Sequence, residues 1–369
     1  MAMLTYEALK SALSSYVVGN KLSNGTYSIT RDNVASLIDK IGKIATLDTS
    51  YVDKLIQFDG EFLSFGKDIE EWFQDLSLPQ AYDSTGANAL APYDPTYRPN
   101  FYSKSLGRKV FPTTIRYNNF ERAVHNEGQF IELVAMITKR LYDSEAEWRY
   151  GAKRGILGEM VDTAISAEGT GSTTFVGSTA YNVGTLLNNG TKYGICVQAI
   201  KVADAYSTYA DAEGDGKIIT YHMVETIATP VDTSTGEAFI EQVKKDIEKA
   251  TDMSEGYSLN GNCLGAWNGL LLVIKQGIMP VIETQVQAGA FHMDKVAIPC
   301  EIVVVPDFGD TTSTTYAVLV DKRAVKLHPT YRVTRSQENA LGDFINYFLH
   351  LECTGYYSRN TFLKVYKAS

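Results

Sequence analysis

Cysteine is scarce in this chain: Cys196, Cys263, Cys300 and Cys353 are the only four in 369 residues, and no two of them form a C-x-x-C pair. That spacing fits neither a zinc site nor a disulfide framework, and reduced, mostly buried thiols are expected. The five histidines, His125, His222, His292, His328 and His350, never fall in H-x-x-x-H or H-E-x-x-H, and none neighbours a cysteine in a ligand pattern. No metal centre is expected. Positive charge is also in deficit, with 34 Lys and Arg against 43 Asp and Glu and a net charge of −9. Tight nucleic-acid binding, which needs clustered cations to displace phosphate counterions, is excluded. No apolar run approaches the roughly 20 residues that span a bilayer. The opening MAMLTYEALKSALSSYVV lacks a basic stretch leading into an apolar one, so neither membrane embedding nor signal-led secretion is expected.

Catalytic signatures are missing too. No G-x-S-x-G elbow occurs, and the glycines of GTGSTTFVG are not completed by G-K-[ST]. The segment Asp211–Lys217, DAEGDGK, has the look of half a calcium loop, but its twelfth position is His222, where a bidentate carboxylate is required. A solvent-exposed turn is the better reading. We expect no catalytic residue, no cofactor and no metal.

What is present is a core-forming chain with an excess of tyrosine. Hydrophobic residues make up 44% and charged residues 21%, ordinary for a protein that buries a core, while the 23 tyrosines supply the stiff amphipathic area favoured at protein interfaces. Near the start, TRDNVASLIDKIGKI sets Val34, Leu37, Ile38, Ile41 and Ile44 at helical spacing, and KDIEEWFQDL places Ile69, Trp72, Phe73 and Leu76 on one side of a second short helix. From Pro79 to Asn100 periodicity dissolves into PQAYDSTGANALAPYDPTYRPN, with four prolines. Such a stretch holds no core of its own. Its anchors Tyr82, Tyr93 and Tyr97, with Phe101 just beyond, mark it as an arm ordered against something else. KVFPTTIRY then alternates like a strand.

The strongest periodicity follows. Phe130, Val134, Ile137, Leu141, Trp148 and Ala152 recur at helical intervals from a start near Asn126, predicting a helix of roughly 25 to 40 residues whose second half is weakened by Gly151, Gly155 and Gly158. Its polar face carries Lys139, Arg140, Glu145, Glu147, Arg149, Lys153 and Arg154. Mixed charges on a long helix suit either solvent or a neighbouring subunit, and Arg149, Lys153 and Arg154 join the four aromatics as candidate inter-subunit contacts. After a Gly, Ser, Thr and Asn rich stretch beyond Ala167, Glu237–Met253 reads as an amphipathic helix. LLLVI, EIVVVPDF, YAVLVDK and the alternating C-terminal segments read as strands. The class is α+β.

The order of these features resembles the major capsid proteins of tailed bacteriophages, with the Hong Kong 97-type capsid fold, and within them the small podovirus type represented by phage phi 29. The likeness is carried by VASLIDKIGKI, LSFGKDIEEWFQDL, NFYSKSLGRKVFPTTIRYNNFERAVHNEGQFIELVAMI and AVLVDKRAVKLHPTYRVTR. It implies an N-terminal arm at 1–63, an E-loop at 64–116 and a peripheral domain with a spine helix at 117–192. An axial domain at 193–305 and peripheral return strands at 306–369 would follow. No likeness covers 167–235. Implied also are self-assembly through pentamers and hexamers into an icosahedral or prolate shell around double-stranded DNA, a separate scaffolding protein and a portal. Assembly would take place in the bacterial host cytoplasm, and the protein would end in the virion capsid. An encapsulin-like compartment shell shares the fold and is the alternative; a soluble enzyme with a lid at Pro79–Asn100 is the rival of another class.

Overall fold

The run LLLVI is apolar at every position, which a strand tolerates only when both of its faces are covered. The computed structural model describes residues 52–64, 66, 68–74, 76, 82, 97–116, 127–265, 269–282, 298–311 and 314–368, with the side chains of 98 and 127–138 excepted. Within it Leu270–Lys275 lies inside a five-stranded sheet. We number the strands in chain order: β1 Ile69–Gln74, β2 Tyr97–Tyr102, β3 Ser105–Arg116, β4 Thr173–Thr174, β5 Leu186–Asn188, β6 Tyr193–Cys196 and β7 Ile218–Thr220. They continue with β8 Val224–Thr226, β9 Leu270–Lys275, β10 Glu301–Val305, β11 Thr315–Asp321, β12 Val325–Asn339, β13 Phe344–Tyr357 and β14 Leu363–Lys367. The helices are α1 Glu127–Ala167, α2 Tyr209–Gly214 and α3 Thr233–Thr251.

The central sheet has the order β10-β9-β11-β14-β8, with β10 parallel to β9, β14 parallel to β8 and the inner pairs antiparallel. Alternation assigns its two faces. Leu271, Val273, Val318, Val320 and Val365 join Ile156, Leu157, Met160, Val161 and Ala164 of α1 in one buried cluster. Leu270, Leu272, Ile274, Leu319 and Tyr366 join Phe239, Ile240, Val243 and Ile247 of α3 in another. The sheet is thus sandwiched between two helices. A boundary between 305 and 306, expected from the sequence, would run through this sheet, because β11 and β14 sit between β9 and β8.

Helix α1 reaches 41 residues, the long end of the expected range, despite its glycines. Gly158 shows why one of them stands there: a Cβ at this position would lie 2.7 Å from the Gly309 carbonyl carbon and 2.9 Å from the Asp310 amide nitrogen. The glycine lets the 308–310 loop lie against the helix. The middle of α1 packs under a second sheet of order β12-β13-β3, where Phe111 meets Trp148 edge-on at 6.5 Å and Arg332 grips Glu145 at 2.7 Å. A third sheet, β4-β5-β6-β7, forms a small lobe with its own cluster of Leu187, Cys196, Ile200, Tyr209, Ala212 and Ile218. This lobe occupies much of the stretch that carried no likeness. There Asp211 and Thr208 cap α2 reciprocally, so DAEGDGK ends a short helix and turns, with Gly216 at φ 67°.

The segment KDIEEWFQDL departs from expectation. It forms strand β1, not a helix, and pairs antiparallel with β2. Its burial alternates residue by residue, and the aromatic pair Trp72 and Phe73 projects to opposite faces. The predicted helix at Thr30–Ile44 lies outside the described residues, as does Tyr93.

Candidate assembly surface

Register fixes what the β1–β2 ribbon presents. Directly opposed residues share a face, so Glu70 with Phe101, Trp72 with Pro99 and Gln74 with Tyr97 make one side; Ile69 with Tyr102, Glu71 with Asn100 and Phe73 with Arg98 make the other. The first side faces out: Phe101 is 71% exposed, Trp72 60% and Tyr97 53%. Trp72 and Tyr97 meet edge to face at 6.0 Å. Tyr82, in the segment between the strands, is 93% exposed. Three of the four expected aromatic anchors are therefore placed, all in the open. Trp72 was noticed in the sequence only as a supposed helix-face residue, and its strand partner Pro99 is what brings it to this surface.

The other side of the ribbon root is polar. Glu71 accepts from Ser358 Oγ at 2.6 Å and from the Tyr102 hydroxyl at 2.8 Å, and that hydroxyl accepts from the Arg359 amide at 3.0 Å. The Tyr102 ring stacks on Tyr356 with centroids 4.7 Å apart. Burial, with the Arg359 amide opposing it and Glu71 adding to it, pushes the Tyr102 phenol far above its usual range. Nothing in the local sequence of Glu71 points to these partners, of which Ser358 and Arg359 come from the other end of the chain.

The three basic candidates on α1 behave differently. Lys153 is wholly buried, its ammonium held by Asp53, by Asp59 at 2.6 Å and by the Leu55 carbonyl at 3.1 Å. Arg149 pairs with Asp59 at 2.9 Å, and Arg154 lies 3.5 Å from Asp307 while covering the Tyr150 ring. The expected solvent face is thus corrected at Lys153. An ammonium beside two carboxylates with no water around it is satisfied inside the subunit and is closed to a neighbour. What it does is clamp the segment carrying Leu55 and Phe58 onto the helix. A signal for this was present, since Glu145, Arg149, Lys153 and Leu157 recur every four residues and share the stripe of Met160 and Ala164.

All four cysteines are free, two buried and two partly buried, and burial raises the thiols of Cys300 to about 11 and Cys353 to about 12. Among the described residues no three His, Cys, Asp or Glu gather as metal ligands would, and no helix is long and apolar enough to cross a membrane.

The profile of the Phi29-like phage major capsid protein family matches residues 15–361. The chain belongs to that family. It is 22% identical over 350 residues to the major capsid protein of Bacillus phage B103, covering 94% of this chain. It spans 65% of that protein's length. Among solved structures it resembles a chain in the capsid of Staphylococcus phage Andhra, with TM-score 0.58, 11% identity and coverage of 87% of this chain and 86% of that one. A chain from the structure of the head fiber and inner core protein of native bacteriophage P68 is similar at TM-score 0.55 and 9% identity, with 87% and 86% covered. The fold is that of tailed-phage capsid proteins, as the order of sequence features implied.

Proposed function

We propose that the chain is the repeating subunit of a phage head, closing an icosahedral or prolate shell as pentamers and hexamers of itself, and that the β1–β2 ribbon is the arm that reaches a neighbour. The observation that carries the reading is the outward aromatic face of the ribbon, which no other described residue of the subunit covers. A subunit that gained nothing by burying Trp72, Tyr97 and Phe101 would be poorly served by leaving three large rings in water on a two-stranded projection. Covering what is still exposed of them, at roughly 150–250 Å² for a whole ring and about 25 cal/mol per Å², contributes on the order of 7–12 kcal/mol per ribbon before ordering and association costs are subtracted. That is strong collectively and modest singly, as a closing shell requires.

In this reading 64–116 is the E-loop, α1 the spine helix of a peripheral domain, and residues 1–63 the N-terminal arm. The axial domain is built on the central sheet, and we extend it from 193–305 to take in β11 and β14, which hydrogen-bond within that sheet. The arm's seat is the neighbouring subunit's long helix or its β12-β13-β3 strands. A scaffolding protein, a portal and enclosed double-stranded DNA complete the assembly, and the shell forms in the bacterial cytoplasm. Deleting Gln80–Asn100 tests the proposal: a soluble, helical protein that makes no shells by electron microscopy is expected, and normal shells from the deleted chain would overturn it.

A further inference from the structure

A two-stranded ribbon is marginal by itself in water, so its order and direction depend on how its root is fastened. Apolar packing at the root of this one amounts, among the described residues, to little more than the Tyr102 ring on Tyr356. No residue of β1 or β2 belongs to the buried clusters around α1, around α3 or in the small lobe. An open pocket of about 290 Å³, lined by Phe101, Lys104, Ile156, Glu159, Tyr356 and Arg359 among others, lies between the root and the helix and is bridged by the Lys104–Glu159 ion pair.

What fastens it is a set of directional bonds. Beyond those of Glu71, Asn260 donates to Asn360 Oδ1 at 2.8 Å and to Asn100 Oδ1 at 3.4 Å, and Asn262 donates to Asn360 Oδ1 at 2.8 Å. Asn360 in turn donates its amide to Ser358 Oγ at 3.1 Å. Ser258, Asn262, Ser358 and Asn360 are buried. These residues come from three places: the ribbon, the 358–361 turn joining β13 to β14, and the 258–262 loop after α3. The turn links the two large sheets, so the ribbon is fastened where they meet.

We propose that this partly buried polar latch, centred on the Glu71 carboxylate, sets the direction of the ribbon in the unassembled subunit and thereby the geometry at which a neighbour is received. The inference rests on reading the ribbon as the assembly arm. Apolar contact has no preferred direction, whereas hydrogen bonds to a carboxylate are strong and lose energy steeply when bent. A cluster of such bonds beside an open pocket defines one angle and leaves room for others when the bonds are cut. The subunit then arrives with its arm already aimed, and copies that share one arm angle share one curvature.

The test uses the full chain with Tyr102→Phe, which removes the hydroxyl shared by Glu71 and the Arg359 amide yet keeps the stacking ring, and separately Ser358→Ala. Amide hydrogen exchange is followed in the unassembled subunit, and particle diameters are measured by electron microscopy after assembly. Exchange at 69–74 and 97–102 is expected to rise fivefold or more while 315–321 is unchanged, and the diameter distribution to broaden. Unchanged ribbon exchange in both variants would overturn the latch. Faster exchange with shells of wild-type diameter would overturn its role in geometry. Should Tyr102→Phe fail to fold, Ser358→Ala, which loses a single hydroxyl, carries the same readouts. Shells from the chain lacking Gln80–Asn100 would instead defeat the arm reading itself, leaving the exchange result to stand on the latch alone.

Discussion

The central sheet and the ribbon are both β-structure rich in large apolar residues, yet they treat those residues in opposite ways. In β9 every side chain from Leu270 to Ile274 is buried, one set against α1 and the other against α3. In the ribbon Trp72 and Phe101 stand in solvent, and the concealed side is fastened by carboxylate, hydroxyl and amide groups. The difference locates two properties in two places. Folding stability of the lone subunit resides in the sandwiched sheet and the charges beneath it, and the proposed arm assigns capacity for association to the ribbon.

Three variants would break or sharpen that contrast. The largest effect is expected at Lys153, because Lys153→Ala removes the cation that Asp53 and Asp59 share and leaves Asp59 to Arg149 alone. A loss of about 3–5 kcal/mol is expected in chemical denaturation of the unassembled subunit; a loss below about 1 kcal/mol would remove the charge clamp from the body's stability.

Next is Glu168, just past the end of α1, whose Oε1 accepts from the Met223 amide at 2.6 Å and the Val224 amide at 3.0 Å beside β8. Burial raises its pKa from 4.5 to about 7, against the opposing pull of those two amides and of Lys364 and Lys367. The fold therefore holds the proton more tightly than the unfolded chain does. The stability that this contributes is complete at acid pH and is lost as pH rises from about 4.5 through about 7. Glu168→Gln should accordingly stabilise the subunit by on the order of 2 kcal/mol at alkaline pH and hardly at all in acid, read from melting curves across pH. An equal gain at both ends of the pH range would show that the charge is not the cause.

The smallest effect on folding is expected from Trp72→Ser combined with Phe101→Ser. Exposed side chains remote from the core should shift subunit stability by no more than about 0.5 kcal/mol, while shells disappear from electron micrographs. A destabilised subunit would mean that the rings are packed after all.

The central sheet was legible because two covered faces leave their mark on consecutive residues: LLLVI, EIVVV and YAVLV can be little else. The long helix and the β3 strand were legible by period. The ribbon was not, since Ile69, Trp72, Phe73 and Leu76 satisfy helical spacing and break strand alternation, and the deciding partner, Tyr97–Tyr102, lies across the proline-rich segment. Lys153 was misplaced for a related reason: a charged residue in a buried stripe is readable only together with the acids that neutralise it, and Asp53 and Asp59 lie far away in sequence. The placement of β11 and β14 shows the same limit, because pairing across a sheet leaves no trace in the order of strands. The exposed aromatics Tyr97 and Phe101 were picked out by residue type alone, while the Glu71 and Asn360 network was invisible, being assembled from single residues of unremarkable sequence.

The chain leaves the central sheet at the end of β11, runs out along β12, returns along β13 and re-enters as β14 beside the strand it left, with Val320 opposite Leu363. The long hairpin is mechanically a lever rooted in two adjacent strands. Tension on it draws β11 and β14 lengthwise together, sliding one past β9 and the other past β8. Each of those flanking ladders is then loaded in shear, with its hydrogen bonds sharing the force at once, so a pull on the hairpin meets the central sheet in its stiffest direction.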